Sequence, residues 1–492
     1  MRPTNLHLTA FFLVTAFLTQ VLIAPRADGQ GAKHAGGHNG DAIRCTSAQP
    51  KEAIASCTSI IDDEREPADR RSMALLNRAF YYQQVGNLDK AIADYTVALE
   101  QPVSLHSLRA RTLQAKTHMN RGLMFLEKGD ETEALADFSD AIGLDPKLTS
   151  AYIDRANIFI GRGDDDGAIV DLNEAVALSP NDGPLFVSRG SLYAHRGDNQ
   201  QAVNDFSKAI ELDPTNAVAW RGRGFAYRAM GDNAKAIQDT AEAIRLDPNL
   251  EDAHLELGLS RQSAGDSVQA IAEFDKAVRL NPRSAQAIKA RGDAYLAQVS
   301  LDRAIEGYTQ ALSLDPKSTP ALENRGVAYL KKSNWQAAIA DFTNALALDP
   351  HRYEAYLNRG QAFAASGSHE RAIADFTQAI QINPSSIDAY RRRAYSRQAR
   401  MDSRGAIDDY SRAIELNSKD AEALRGRGYA HLQLHENAAA VADLSSAIAL
   451  GPADLRSYRY RALAYEGEKD TRHADLDDAA VKRLDPSNQI DH

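Results

Sequence analysis

His435 and Glu436 stand side by side, as in a zinc-binding helix, but no second histidine follows at the spacing such a site needs. Gly222-Arg223-Gly224 lacks the third glycine of a dinucleotide-binding turn, and no phosphate-binding loop occurs. Asp164-Asp165-Asp166-Gly167 is acidic, but its spacing is not that of a calcium loop. His34 and His38 lie in a Gly-rich stretch that reads as a spacer rather than a metal site. No constellation for catalysis, no cofactor motif and no metal set emerges, so the expectation is a non-enzymatic protein. The net charge of −10 repels a phosphate backbone, which argues against nucleic acid as a partner.

Two residue types do recur in register. Arg121, Arg155, Arg189 and Arg223 share a spacing of 34 residues, as do Asp137, Asp171, Asp205 and Asp239. Arg325, Arg359, Arg393, Arg427 and Arg461 continue the first series; Asp341, Asp375, Asp409, Asp443 and Asp477 continue the second. Arg78 and Asp94 stand in the same relation near the start. The unit with Leu257 keeps Glu273, and the unit with Arg291 has Gly307. A ladder of Arg–Asp pairs between packed helices is expected, because a planar guanidinium holds a carboxylate through two bonds. The alternative is a basic stripe for a ligand.

Residues 8–24 carry no charge and follow a short positive start, which reads as an export signal within residues 1–29. The alternative is an uncleaved membrane anchor, for which 17 residues is at the short limit. Cys45 and Cys57, the only cysteines, follow that signal closely and are expected as a disulfide rather than a metal pair.

The elements that position these residues follow from the period. Asp213-Pro214, Asp247-Pro248, Asn281-Pro282, Asp315-Pro316 and Asp349-Pro350 succeed one another every 34 residues. A fixed period of this length marks a stacked helix-turn-helix array. The first helices from Gly129-Asp130 to Gly265-Asp266 end at a Gly-Asp pair such as Gly231-Asp232, where glycine closes one helix and aspartate can cap the next. Each second helix reads like residues 372–380 and stops near the proline. Small residues recur at Gly326 and Ala338 and their equivalents, where two helices must approach closely. Helices of about a dozen residues are marginal alone, so stability must come from stacking.

The unit Ala219-Trp220, Gly224, Tyr227, Ala236, Ala243 and Pro248 resembles a tetratricopeptide repeat. The resemblance implies an all-α fold, a right-handed α-solenoid of about twelve helix-turn-helix units. The expected organisation is a linker over 30–40, a degenerate cap over 41–72 containing Cys45 and Cys57, and a first repeat with an insertion over 73–114. Eleven contiguous repeats follow over 115–486, then a tail over 487–492. Asp478 replaces the usual Phe, Tyr or Leu in the last unit, as suits a closing helix.

Members of this family bind peptides on the concave face lined by first helices. The position three before the small residue is normally on that face, and here it ends in Arg391, Arg425 and Arg459. Arg392 adds charge, while Tyr395 and Tyr429 follow four residues after Arg391 and Arg425. The expected partner is a protein or peptide with an acidic segment, held by these six residues. The alternative is a solvated face, since Asp388 and Glu422 can neutralise the arginines. The family's chaperone-tail clamp pattern is not reproduced. The chain is therefore expected to be an interaction scaffold, exported and periplasmic or secreted in a bacterium. The alternative is a membrane-anchored assembly factor of an envelope secretion, pilus or polysaccharide-export complex, and membrane contact requires residues 8–24 to stay uncleaved.

Overall fold

The computed structural model describes residues 44–46, 49–101 and 107–485. The expected signal, linker, C-terminal tail and Pro486 lie outside those residues. Every element described is a helix, and no helix there is long and apolar enough to cross a membrane.

The chain divides into two compact units within the helix Glu251–Ser263: one ends at Glu256, the other begins at Leu257. Within each, helices alternate between first and second members of a repeat, and each packs on the helices before and after it. First helices of neighbouring repeats also pack on each other, as Ile387–Ala399 does on Ala421–Gln433. Second helices make no comparable contact among the described residues. The first-helix side is thus the tighter side of the stack.

The repeat pattern explains this packing. In the repeat formed by Thr319–Lys331 and Trp335–Leu348, Ala321, Ala328, Ala338, Phe342 and Ala345 are fully buried. A Cβ on Gly326 would lie 2.8 Å from the Phe342 ring, so the phenylalanine occupies the space that glycine leaves. Filling such a contact costs about 1–3 kcal/mol. Gly129, Gly163, Gly197, Gly231 and Gly265 all adopt the left-handed conformation expected after a first helix. The capping expectation holds for Asp164, Asp232 and Asp266, whose side chains accept from backbone N–H groups three residues on. Asp130 and Asp198 make no such bond and face Lys128 and Arg196 instead.

One boundary differs from expectation. The helix Leu108–Lys128 has 21 residues, so the end of the expected insertion extends the first helix of the following repeat. At the start, Cys45 and Cys57 are joined, with Cα atoms 4.9 Å apart. Both are buried with Ile60 and Ala74, which ties residues 44–46 to the helix Pro50–Asp62 and its neighbour.

The ladder forms. Ten arginines each donate from Nε and one terminal nitrogen to both oxygens of an aspartate sixteen residues on, at 2.6–3.0 Å. The third nitrogen was not anticipated. It donates at 2.9–3.1 Å to Thr58, Thr96, Ser139, Asn173, Ser207, Thr309, Thr343, Thr377, Ser411 or Ser445, sixteen to 25 residues earlier, on the preceding second helix. Each rung therefore joins two helices of one repeat and the repeat before it.

Candidate functional site

The site is built on three first helices of the second unit, Ile387–Ala399, Ala421–Gln433 and Leu455–Gly467. Ser386 caps the first through the Ala389 N–H, and Asp420 caps the second through the Ala423 N–H. Asp454, which precedes the third, accepts from the Ser457 hydroxyl at 2.6 Å. On the tighter side of the stack these helices enclose a cavity of about 820 Å³.

Five of the six expected residues line that cavity: Arg391, Arg392, Tyr395, Arg425 and Tyr429. The sixth, Arg459, does not; it is exposed to solvent. Arg391 is drawn to Asp420 and Glu422, 29 and 31 residues on, and Arg425 to Asp454, 29 residues on, at 2.8 Å.

The arginines are not bare cations. Arg391 also meets Asp388 at 3.4 Å, and Arg392 donates to Asp388 at 2.8 Å and to Gln361 at 2.7 Å. Burial alone would raise the Asp454 carboxyl, but hydrogen bonds from Ser457 and Arg425 outweigh it and hold the group below its usual range. The acidic capping residues thus hold the guanidinium groups of the preceding repeat in place. The Nε of Arg391 is buried without a hydrogen-bond partner. Four arginines line the cavity, the fourth being Arg456, against the acids Asp388 and Glu422. Asp420 and Asp454, paired with Arg391 and Arg425 from outside that lining, offset the excess of positive charge.

Sequence reasoning missed the rest of the lining. Tyr460 packs against Tyr429 with ring centroids 4.5 Å apart and planes tilted by 33°. Tyr410 rises from the second helix Ser403–Leu416 and donates to Gln398 at 3.0 Å, and burial pushes its phenol up. Met401 takes a left-handed φ of 63° and is 81% exposed at the cavity edge. The spacing of 31 residues between Tyr429 and Tyr460 was the available signal.

His118, Asp137 and Asp140 bring ligand atoms within 4.8 Å of one another. Arg121 already occupies both oxygens of Asp137, at 2.8 Å each, so the histidine decorates a rung of the ladder.

Family models of the tetratricopeptide repeat match residues 76–149, 255–319, 324–387 and 391–454, more than half of the chain, and also 217–250. The chain belongs to the tetratricopeptide repeat family. A further TPR repeat model covers residues 190–231. Among solved structures, a tetratricopeptide repeat protein from Parabacteroides merdae is 20% identical with a TM-score of 0.40, covering 50% of this chain and 98% of its own. PilF of Pseudomonas aeruginosa is 21% identical with a TM-score of 0.38, covering 44% and 98%. YrrB, described as a TPR protein with an unusual peptide-binding site, is 21% identical with a TM-score of 0.34, covering 37% and 95%. No curated protein matches the chain. Tetratricopeptide repeats are protein-interaction scaffolds, and this repeat array is one by its family and its helical stack.

Proposed function

We propose that this scaffold is non-enzymatic and binds an acidic segment of a partner protein in the groove lined by Arg391, Arg392, Tyr395, Arg425 and Tyr429. The observation that carries the reading is the gathering of four arginines in one groove of a net acidic chain. A carboxylate entering there competes with Glu422 and Asp388 for guanidinium donors that are already oriented, so little ordering entropy opposes binding. The Arg391 Nε, buried and unbonded, offers one further donor.

The compartment is proposed from the uncharged run at 8–24, and the Cys45–Cys57 disulfide is compatible with export. The same run supports a second reading, a membrane-anchored assembly factor, and the mass of the mature chain separates the two. A start near Gln30 excludes the anchor; a retained residue 8–24 segment excludes the free form.

The groove is tested by crosslinking and capture of the tagged mature chain in its host, beside an Arg391→Glu/Arg425→Glu variant of matching helicity. Arg459→Glu serves as the control, since that residue lies outside the lining. The expected result is a partner retained by the wild type and the control and lost by the double variant. Equal capture by all three would sink the groove as the site.

A further inference from the structure

Within the second unit, residues 31 apart on neighbouring first helices meet. Asn324 donates to Asp293 at 2.8 Å, Arg392 donates to Gln361 at 2.7 Å, and the Tyr460 ring packs tilted against Tyr429. The same relation pairs Tyr395 with Gly426. Here one side is missing. Tyr395 is 61% exposed, and the aromatic neighbour it has is the edge of His369, 6.3 Å away. As placed, the Tyr410 ring occupies the space that a Cβ on Gly426 would take. One repeat later Leu444 stands where Tyr410 does, and there the larger Tyr460 is accommodated. Gly426, with the Tyr410 ring against it, therefore leaves an opening beside Tyr395.

We infer that this opening is a slot for an aromatic side chain of the bound segment, stacked on Tyr395 over Gly426 with acidic neighbours on Arg391 and Arg425. The inference rests on the groove's being the partner site, and it adds the partner's chemistry: an aromatic residue flanked by carboxylates. The Tyr429–Tyr460 pair supplies the template for the stack. Met401, exposed in a left-handed conformation at the cavity edge, and the Gln398 amide, which holds both the Tyr410 hydroxyl and the Gly426 carbonyl, frame the slot. A ring there recovers contact area that Tyr395 leaves in water, and offset stacking strengthens it.

The test uses the full mature chain and fluorescent probes in anisotropy titrations: the peptide Asp-Glu-Trp-Asp-Glu, its Trp→Ala form, and a neutral Ser-Gly-Trp-Ser-Gly peptide. The Trp peptide is expected to bind about tenfold more tightly than the Ala form. Tyr395→Ala should abolish that difference. So should Tyr410→Leu/Gly426→Tyr, which copies the Leu444/Tyr460 arrangement and closes the slot without crowding the core. Equal binding of the two acidic peptides, both lost in Arg391→Glu/Arg425→Glu, overturns the slot and leaves the acidic-segment reading intact. Equal binding of the two Trp peptides supports the slot and overturns the acidic requirement. No binding by any probe overturns both.

Discussion

Arg291 takes its carboxylate from Asp275, sixteen residues before it, whereas its counterparts in ten other repeats bond an aspartate sixteen residues ahead. The reversal has a local cause. Gly307 occupies the place where the other repeats carry the aspartate, and Asp275 occupies the place where Thr309 or Thr343 serves as a hydroxyl acceptor elsewhere. The rung is kept with one bond instead of two, and the Arg291 Nε is left buried without a partner.

Restoring the common pattern should strengthen this repeat. Asp275→Thr/Gly307→Asp is expected to raise stability by about 1–2 kcal/mol, from a second charge-assisted bond and from removing a glycine inside the helix Leu301–Leu314. A Cβ on Gly307 would sit 3.4 Å from the Gly292 Cα, which leaves room for the change. The urea midpoint of the second unit measures it; an unchanged midpoint would mean that the missing bond carries no weight.

The ordinary rungs make the opposite prediction. Asp341 is 3% exposed, and Asp341→Ala leaves the Arg325 guanidinium, 19% exposed, without its carboxylate. The expected loss is about 2–4 kcal/mol. Arg325→Leu/Asp341→Leu should recover most of it, since an apolar pair leaves no buried charge. Equilibrium denaturation of the three proteins decides the matter, and equal losses in the single and double variants would show that packing rather than charge dominates.

Asp154, on the helix Thr149–Arg162, gives a pH-dependent prediction. Burial pushes its carboxyl up to about 7 from an ordinary 3.8. Between those values the folded chain keeps a proton that the unfolded chain has lost, so stability falls as pH rises through that window. Asp154→Asn should therefore be nearly neutral at pH 4 and stabilising by about 1–3 kcal/mol at pH 8. Asp137 has the reverse sign: burial would raise it, but hydrogen bonds from Arg121 and His118 hold it low, so its contribution is lost on acidification below its ordinary value. Paired denaturation curves at the two pH values test Asp154; a pH-independent effect of Asp154→Asn would refute the burial argument.

Reducing the Cys45–Cys57 bond should loosen the first hairpin before anything else. Closing a loop of 12 residues is worth about 3 kcal/mol on the chain-entropy account. The helix Pro50–Asp62 should lose amide-exchange protection in reductant, while helices from Glu131 onward keep theirs. Uniform loss along the chain would instead make the disulfide a determinant of the whole array.

Much of this was legible from spacing alone. The 34-residue register located the helices, and the matched Arg and Asp series foretold the rungs down to individual pairs. The hydroxyl acceptors went unnoticed because Ser, Thr and Asn look interchangeable with any solvated residue until the guanidinium's third nitrogen is placed. The Leu257 repeat, however, carried a hint: sixteen residues before it stands Ala241, with no acceptor. In the groove, helical spacing found Arg391, Arg425 and both tyrosines above them. It failed at Arg459, which is exposed outside the lining. It also failed at Tyr460, whose partner lies on another helix and so is invisible to periodicity within one.

The rungs have a consequence for how such a chain can change its length. Arg325, Arg359 and Arg393 each hold an aspartate of their own repeat and a threonine of the one before: Thr309, Thr343 and Thr377. These three seams thus present the same plug and the same socket. Excising residues 319–352 in frame would set Thr309 against Arg359 and leave no orphaned ion among the rungs. The array is in this sense a spliceable cassette tape, which recombination can lengthen or shorten by whole repeats.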